Sequence, residues 1–392
     1  MKKNLTFVLI LIATLASFGL GTFFGMSRVD CPVCPPEHVD FSLFWETWKT
    51  LEEKYVNSED LDTQEMIYGA ISGMIDSIDD PYTLFLDPDD SEIFSEDITG
   101  EFGGVGMEVG AREGQLKVIA PLEGTPAKEA GLRAGDIIMK VDGELTADMT
   151  LDEAVKRIRG EEGTEVVLTI FRESWSESRD IRVVRDIIEV PSLEWELKDD
   201  NVAYVQIYHF TQKASDDFSK AGREIMNSSA DKIVLDLRNN PGGYLGVAQN
   251  IGGWLLERGT VVAIEDFGDS REREEYKASG PSTLADYPIV CLINKGSASG
   301  SEILAGALRD NRGILLIGET SFGKGSVQQL VPLSNGSSLK VTVAKWLTPK
   351  GESISGSGLE PDIKVEMNEE DYEQNIDKQL EMAIELVKSL EK

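Results

Sequence analysis

Short apolar runs alternate with helix-like segments from residue 202 onward, and this alternation most limits the folds available to the chain. The predicted helices in this region are ASDDFSKAGREIMN, YLGVAQNIGGWLL and SEILAGALRD. The predicted strands around them are NVAYVQIYHF, KIVLDLRNN, GTVVAIED, PIVCLIN, GILLIGE and SLKVTVAKWL. Strands that alternate with helices are typical of α/β domains. We therefore predict an α/β domain over residues 187–366.

The last residues, 367–392, follow a helical pattern with apolar positions on one side. Ile376, Leu380, Ile384 and Val387 recur at the spacing of an amphipathic helix. Such a face either packs on the core of its own chain or forms a contact between two copies. Both interpretations stay open at this point.

The first 27 residues contain an uncharged, mostly apolar run. It covers residues 5–26, which is 22 residues, and Lys2 and Lys3 precede it. A helix that spans a membrane needs about 20 such residues, whereas the apolar part of a signal peptide has about 7–15. Flanking lysines favour a cytoplasmic N-terminus. We predict a membrane anchor over residues 1–27, with the remainder outside the cytoplasm; a cleaved signal peptide is the alternative.

The chain of 392 residues is strongly acidic, with 38 Lys and Arg against 70 Asp and Glu and a formal net charge of −32. A field of this sign repels nucleic-acid backbones, and no stripe of basic residues offsets it. The charge therefore predicts that nucleic acid is not a partner. The length predicts two or three domains.

The three cysteines divide between a linker and an apolar run. The linker, over residues 28–40, contains CPVC, in which Cys31 and Cys34 have the spacing of redox and zinc sites. With His38 the motif offers three zinc ligands, whereas a structural zinc site uses four. A short disulfide or no role at all is therefore favoured. Cys291, in YPIVCLIN, is predicted to be a buried strand residue.

Two amphipathic helices are predicted over residues 41–100. The segments FSLFWETWKTLEEKYV and TQEMIYGAISGMIDSI both carry apolar residues at helical spacing. The second segment ends before DDPYTLFLDPDD, which is rich in turn-forming residues. This region is therefore predicted to be a helical N-terminal domain.

The region over residues 101–186 changes to short strands and one helix. It contains the phrase GLRAGD, a helix at residues 151–159, and a glycine loop formed by Gly104, Val105, Gly106 and Met107. In these motifs the region resembles a PDZ domain; a glycine-rich hairpin is the other interpretation. Consecutive N–H groups of a glycine loop bind anions, and the adjoining strand can pair with an extended peptide. The resemblance therefore implies a site for the C-terminal carboxylate of a substrate.

Five serines in and after GSASGSEILAGALRD are candidate nucleophiles: Ser297, Ser299, Ser301, Ser321 and Ser326. A serine hydroxyl needs a base to take its proton, and histidine is the usual base. The chain has two histidines, His38 in the linker and His209 at the end of a strand. A Ser/His/Asp triad would therefore depend on His209 alone.

Lys324 is the alternative base, and it stands between Gly323 and Gly325. A free lysine has a pKa of about 10.4 and is protonated at neutral pH. Lowering that pKa by about 3 units costs roughly 4 kcal/mol, which burial in an apolar pocket supplies. Glycines on both sides let the backbone turn tightly, which favours a lysine held in the interior. A surface lysine is the other interpretation.

Ser299 directly precedes a predicted helix and lies three residues before Glu302. This is the spacing of a capping box, and a capping role alone would account for the serine. The same position places the hydroxyl beside free N–H groups and the positive end of the helix dipole. The N–H of Gly300 is then suited to stabilise an oxyanion.

Residues 41–384 resemble the C-terminal processing peptidases, which are tail-specific Ser/Lys endopeptidases. The matching motifs are DDPYTLFL, the PDZ phrases, VLDLRNNPGG, NKGSASGSEILAGALRD, GETSFGKGSVQ and GSGLEPD. The resemblance implies that Ser299 is the nucleophile, that Lys324 is the general base and later the general acid, and that Gln328 orients the lysine amine. It also implies an oxyanion hole formed by the N–H groups of Gly243 and Gly300.

Two further positions bear on this resemblance. Position 300 is glycine where the family usually has alanine, which removes no catalytic group but leaves the local backbone freer. Asp310 corresponds to an acidic residue that has a role in some family members; a carboxylate that caps helix structure is an equally good explanation.

The sequence therefore predicts an α/β multidomain protein with a helical N-terminal segment, a PDZ domain and a crotonase-like or ClpP-like peptidase core. We expect it to cut proteins with exposed C-termini on the periplasmic or extracellular side of a membrane. No metal or cofactor is expected, because serine, lysine and two N–H groups complete an acyl-transfer site. A catalytically silent PDZ scaffold and a crotonase-like acyl-CoA enzyme are the rival functions.

Overall fold

The computed structural model describes residue 17 and residues 38–390, except residues 113, 114, 123, 173, 369, 372, 373 and 375. The predicted anchor over residues 5–26, Cys31 and Cys34 lie outside the described residues. In the part of the chain that is described, no helix combines the length and the apolar character needed to cross a membrane. The described residues divide into two compact units, one up to residue 67 and one from residue 68 onward.

The described helices are α1 Ser42–Lys54, α2 Thr63–Asp76, α3 Pro88–Thr99, α4 Pro126–Glu129, α5 Leu151–Ile158, α6 Ala214–Asn227, α7 Leu245–Leu255, α8 Gly300–Arg312 and α9 Lys378–Ser389. The strands up to the end of the PDZ region are β1 Leu84–Leu86, β2 Glu101–Gly104, β3 Met107–Arg112, β4 Gln115–Pro121, β5 Ile137–Val141, β6 Glu144–Leu145, β7 Glu165–Phe171, β8 Arg179–Val184 and β9 Asp186–Glu189. The remaining strands are β10 Leu193–Lys198, β11 Val202–Ile207, β12 Lys232–Asp236, β13 Val261–Asp266, β14 Glu274–Lys277, β15 Ile289–Ile293, β16 Leu315–Gly318, β17 Ser326–Pro332, β18 Ser338–Leu347 and β19 Ile363–Lys364.

The first unit contains α1, whose apolar side chains remain largely in contact with solvent. Leu43 and Trp45 are 72% and 60% exposed. The aromatic residues of this helix contact one another, with ring centroids of Phe44 and Trp45 5.0 Å apart. The helix predicted here is therefore present, and it carries an apolar face that its own unit does not cover.

The main sheet of the second unit has the strand order β10-β11-β12-β15-β16-β19. All its neighbouring strands are parallel except β10 and β11. Alternate residues face opposite sides: Ile233 and Cys291 join the core under α6, α7 and α8, whereas Val234 and Val290 join the cluster under α9. Both faces are thus buried, as parallel sheets require. The predictions of an α/β domain and of a buried Cys291 are confirmed.

Helix α9 docks on this sheet through its apolar side. Ala383 and Val387 are fully buried against Val202, Val290 and Ile317. Packing within the chain therefore accounts for the amphipathic pattern of the C-terminal segment. Its apolar face is not available for a contact with a second copy.

A second, antiparallel sheet was not distinguished by the sequence. Its central strand β18 pairs with β1, β13 and β17, and β13 pairs with β14. The alternating pattern predicts β13 and β18 as strands of the α/β domain, and it does not predict β17. This sheet carries the segment that directly follows Lys324.

The PDZ region forms its own sheet, in the order β3-β4-β5-β7-β8, around an apolar core. Asp136, in the GLRAGD phrase, accepts hydrogen bonds from Arg133 N (2.9 Å) and Arg172 Nε (2.6 Å), and its side chain is 1% exposed. The pair fixes the turn before β5. Strand β3 lies at one edge of the sheet with α5 packed beside it.

Candidate active site

A cavity of about 830 Å³ lies where the chain leaves the parallel strands and meets the antiparallel sheet. Ligand sites of open α/β sheets lie beyond the carboxyl ends of the strands. Six residues singled out in the sequence line this cavity: His209, Gly243, Ser299, Lys324, Ser326 and Gln328. The structure thus brings together segments separated by more than a hundred residues.

Ser299 occupies a strained turn between β15 and α8. Its φ of 52° and ψ of −114° are unusual for a residue with a side chain. Such turns project a nucleophile away from the backbone. The neighbouring serines point elsewhere: Ser297 Oγ donates to Leu237 O at 2.7 Å, and Ser301 Oγ donates to Asn240 O at 2.9 Å. Ser299 is the serine of this motif that lines the cavity.

The backbone around Gly243 approaches Ser299 closely. Gly242 and Gly243 have φ values of 99° and 143°, in the region that favours glycine. The turn is held because Phe210 N donates to Gly242 O and Tyr244 N donates to Phe210 O, each at 2.9 Å. Among the described residues, the N–H groups of Gly243 and Gly300 have no acceptor. Two free N–H groups beside a serine hydroxyl form the arrangement of an oxyanion hole.

Lys324 is joined to Ser299 through the buried carboxylate of Glu302. Ser299 N and Lys324 N donate to Glu302 Oε2 at 2.9 and 3.0 Å, and Gly323 N donates to Oε1 at 2.7 Å. Ser321 Oγ donates to Oε1 at 2.5 Å. The capping spacing therefore does bring Glu302 to Ser299, but the same carboxylate also holds the lysine loop.

The Lys324 side chain is half-buried, with its Nζ 5.8 Å from the centroid of the Tyr82 ring. Burial lowers the pKa of the Lys324 amine, and the negative charge of Glu302 limits that decrease. Burial also raises the pKa of Glu302, against the hydrogen bonds that it accepts. A fully exposed Lys324 is excluded, and its pKa is shifted in the direction that a lysine base requires.

Gln328 lies in the same cavity as Lys324. Its Nε2 donates to Ser326 Oγ at 2.7 Å. Within the described residues, no hydrogen bond joins Lys324 Nζ to either Gln328 or Ser299 Oγ. The predicted residues therefore line one cavity, but the hydrogen bonds that a Ser299–Lys324 dyad would need are not formed.

His209 and Asp310 differ in their relation to the cavity. Burial lowers the pKa of His209, and the negative charge of Asp97 limits that decrease. No hydrogen bond connects this residue to Ser299 in the described part of the chain. Asp310 does not line the cavity; it accepts a hydrogen bond from Lys350 N at 3.1 Å near the end of α8. The hydrogen bond from Lys350 N at the end of α8 therefore gives Asp310 a structural role.

The PDZ region reaches the cavity through Phe102 and Arg159. The Arg159 guanidinium lies over the Phe102 ring at 4.2 Å and binds Asp97 of α3 at 2.8 Å. In the predicted peptide loop, the carbonyls of Val105 and Gly106 accept hydrogen bonds from Ala127 N and Leu122 N, at 2.7 and 2.9 Å. The loop is thus anchored through its carbonyl groups, beside the free edge of β3.

The comparisons with known proteins agree with this architecture. A model of peptidase family S41 matches residues 201–365, a PDZ domain model matches residues 117–172, and a model of the N-terminal domain of the activating protease CtpB matches residues 36–90. The carboxy-terminal-processing protease of Bartonella bacilliformis is 39% identical over 82% of this chain and 74% of that protein. The chain belongs to peptidase family S41.

Two further relatives of this S41 peptidase cover similar shares of it. The carboxy-terminal processing protease CtpB of Bacillus subtilis is 36% identical over 81% of this chain and 66% of that protein. The solved structure of a photosystem II D1 C-terminal processing protease is 30% identical, with a TM-score of 0.51 over 83% of this chain and 92% of that one. The family resemblance and the predicted fold class are confirmed.

Sequence reasoning missed an ion cluster that supports the site of the S41 peptidase. Asp236, at the end of β12, is fully buried and binds Arg238, which also binds Asp377 at 2.8 Å. Burial acts to raise the pKa of Asp377, but the hydrogen bonds and charge of Arg238 hold it below its usual value. The cluster links the start of α9 to the turn that leads to Gly243. The motif VLDLRNN contained these residues, but Asp377 lies far away in sequence.

No group of three or more His, Cys, Asp or Glu side chains in the described residues is arranged to hold a metal ion. The cavity presents hydroxyl groups, two lysine amines, the Arg159 guanidinium, the His209 imidazole, the Gln328 amide, carboxylates and backbone N–H groups. These groups suit acyl transfer to and from a serine.

Alanine substitutions at Gly243 and Gly300, the predicted oxyanion-hole residues, should have different effects. A Cβ at Gly243 would lie 2.3 Å from Phe210 O at a φ of 143°, so Gly243→Ala should abolish peptide cleavage. A Cβ at Gly300 would meet its nearest atoms, in the Phe210 ring, at 3.4 Å. Gly300→Ala should therefore retain cleavage within a few-fold and raise the free energy of unfolding by about 0.5 kcal/mol. Equal loss of cleavage in both variants would contradict this assignment.

Proposed function

We propose that this S41 peptidase is a serine endopeptidase in which Ser299 is the nucleophile and Lys324 is the base, acting on proteins near exposed C-termini. The observation that carries the proposal is the Glu302 carboxylate, which holds Ser299 N and Lys324 N at 2.9 and 3.0 Å. The turn that carries Ser299 and the loop that carries Lys324 are thereby held by the same carboxylate. The names of the relatives motivate the substrate class.

The proposed reaction starts with the neutral Lys324 amine taking the proton of Ser299 Oγ. The oxygen attacks the substrate carbonyl carbon, and the negative charge that develops is stabilised by Gly243 N–H and Gly300 N–H. The protonated lysine then gives its proton to the leaving amine, and an acyl-enzyme ester remains. Water, deprotonated by the same amine, hydrolyses this ester and restores the free serine.

We propose that Gln328 turns toward Lys324 when substrate binds. Its amide donates to Ser326 rather than to Lys324, and hydrogen bonds of catalytic groups often tighten only when substrate binds. Arg159 of the PDZ region lines the same cavity as Ser299. We therefore include in the proposal that peptide capture by the PDZ domain shifts Arg159 and thereby controls entry to the cavity.

The attachment of the PDZ domain to α3 suits such a movement. Lys156 lies 3.3 Å from Asp90 and from Asp89, and these carboxylates are more than half exposed. Ion pairs of this kind contribute about 0–1 kcal/mol each, so their loss costs little. These two pairs therefore add little to the cost of displacing the domain, and the less exposed pair of Arg159 with Asp97 is the main ionic contact to be broken.

The function is tested with an unfolded protein that ends in an apolar tail. The wild-type soluble part should produce fragments, and Ser299→Ala should produce none. Ser297→Ala is the matched control, because its hydroxyl bonds to Leu237 O outside the cavity, and it should retain substantial cleavage. Undiminished cleavage by Ser299→Ala would refute the assignment. A silent scaffold would leave the substrate intact even with the wild-type protein.

The role of Lys324 predicts a specific pH dependence. Because burial lowers its pKa, cleavage should rise with pH through an inflection well below the free-lysine value of about 10.4. Lys324→Arg keeps the positive charge but cannot accept the proton, so it should be as inactive as Lys324→Met. Cleavage by Lys324→Arg within a few-fold of wild type would exclude lysine as the base, and His209 would become the candidate.

The same pKa shift affects stability with a defined sign. The unfolded chain binds more protons at Lys324 than the folded chain, so wild-type stability at this site rises as pH increases through the interval between the two pKa values. Lys324→Met removes this dependence and should be at least as stable as wild type near neutral pH. Urea unfolding at several pH values measures the difference.

Capture of the substrate tail by the PDZ domain is tested by removing its charge. We propose that the loop at residues 104–107 and the free edge of β3 hold a C-terminal carboxylate. Amidation of the terminal carboxylate should therefore weaken binding of a peptide with an apolar tail. Equal affinities of the amidated and free-acid peptides, measured by calorimetry, would remove this role from the loop.

We also propose that residues 5–26 anchor the peptidase in a membrane with its catalytic part on the periplasmic or extracellular side, as the flanking lysines predict. Protease added to intact cells should then degrade the catalytic part.

The exposed apolar face of α1 supports a contact between copies. Sedimentation should show that Trp45→Glu dissociates such a homo-oligomer.

A further inference from the structure

The part of the catalytic cavity that we call the side pocket is lined by Ile303, Leu245 and Trp346. Ile303 lies one helical turn after Ser299 on α8 and shares a buried apolar cluster with Trp346, against which Leu245 packs. Three acidic side chains line the catalytic cavity: Glu96, Asp97 and Glu265. Arg159 lies 3.8 Å from Glu96 and 2.8 Å from Asp97, so these two acids have a basic partner.

The sheet register places Glu265 close to the catalytic loop. Trp346 N donates to Gly325 O at 2.8 Å, directly after Lys324. Glu265 is the cross-strand partner of Trp346, so the two side chains lie on the same face of the sheet. Tyr276 lies on that face as well, with its ring centroid 5.8 Å from that of Trp346. Glu265 therefore borders the side pocket next to Trp346 and Tyr276.

Glu265 is a buried acid without a basic partner in the described residues. It is 5% exposed, and its carboxylate accepts one hydrogen bond, from Tyr276 Oη to Oε2 at 2.7 Å. Arg271, which acts electrostatically on Tyr276, instead pairs with Glu274 at 4.0 Å. The acid whose charge acts on Lys324 is Glu302, so Glu265 is also not the lysine's partner.

A buried carboxylate without a cation is unfavourable unless a ligand supplies one. The substrate carbon attacked by Ser299 is bonded to the α-carbon of the residue on the acyl side of the cleaved bond. The side chain of that residue therefore starts beside Ser299, which shares the cavity with Ile303 and Glu265. A lysine or arginine there would lay its methylene groups on the apolar walls and bring its charge to Glu265.

Resting on the proposed peptidase function, we infer that Glu265 selects substrates that carry lysine or arginine immediately before the cleaved bond. Glu265 is a specificity-determining residue that touches the substrate side chain and takes no part in proton transfer. Tyr276 positions its carboxylate. The substrate class of the peptidase is then proteins with a basic residue shortly before an apolar C-terminal tail.

The test compares two quenched fluorescent peptides that differ only in the residue before the cleavage point, lysine in one and norleucine in the other. Both end in the same apolar tail with a free carboxylate. Wild type should cleave the lysine peptide with a kcat/KM about 100-fold higher, since loss of a polar contact in a built site is discriminated strongly. Most of the difference should appear in KM, because the ion pair forms on binding.

Glu265→Gln should reduce the ratio of the two kcat/KM values to near one. Using the ratio cancels differences in the amount of active protein. Asp266→Asn is the matched control: this neighbouring acid pairs with Arg273 at 2.8 Å and does not line the pocket, so its ratio should equal that of wild type. Tyr276→Phe keeps the charge of Glu265 and should keep a preference for lysine.

Three outcomes overturn this inference in distinguishable ways. Cleavage of both peptides by wild type with equal kcat/KM would overturn the role of Glu265 alone, whether or not any variant folds. Cleavage of neither peptide would overturn the proposed peptidase function and this inference with it. An unchanged ratio in Glu265→Gln would assign the preference to another residue.

Discussion

The Glu302 carboxylate is the group on which the arrangement of the site depends. It is 1% exposed and accepts hydrogen bonds from Ser299 N, Ser321 Oγ, Gly323 N and Lys324 N. A buried carboxylate is stable only when its oxygens are satisfied. Its four donors come from two loops, so both loops must adopt their observed positions for the charge to remain buried. The hydrogen bond from Ser299 N to Glu302 also stabilises the strained backbone of Ser299.

The remainder of the fold supplies these loops with fixed starting points. Parallel strands β12 and β15 end side by side, so the turn at Gly243 and the turn at Ser299 leave the sheet at adjacent positions. The Arg238 guanidinium, between Asp236 and Asp377, ties the first turn to α9. The C-terminal helix thus contributes to the site without touching it. Strand β18 lies between the lysine loop and Glu265, because Trp346 N donates to Gly325 O and Trp346 pairs with Glu265 of β13.

Local patterns predicted much of this structure from the sequence. Alternating segments revealed the α/β domain, and contiguous motifs indicated the PDZ region, Ser299 and Lys324. What the sequence did not reveal depends on pairing between distant segments. The antiparallel sheet forms because residues near 85 pair with residues near 340, and no local pattern contains that information. Glu302 was recognised as a cap for Ser299, but its bonds to Gly323 and Lys324 cross more than twenty residues.

The central claim is that Ser299 forms a covalent ester and that Lys324 activates it. Reaction of the peptidase with a peptidyl p-nitrophenyl ester, quenched rapidly with acid and followed by digestion and mass spectrometry, tests this directly. The account predicts an acyl group on Ser299 in the wild type and its loss in Lys324→Met. An acyl group on a different residue, or undiminished acylation of Ser299 in Lys324→Met, would contradict the account.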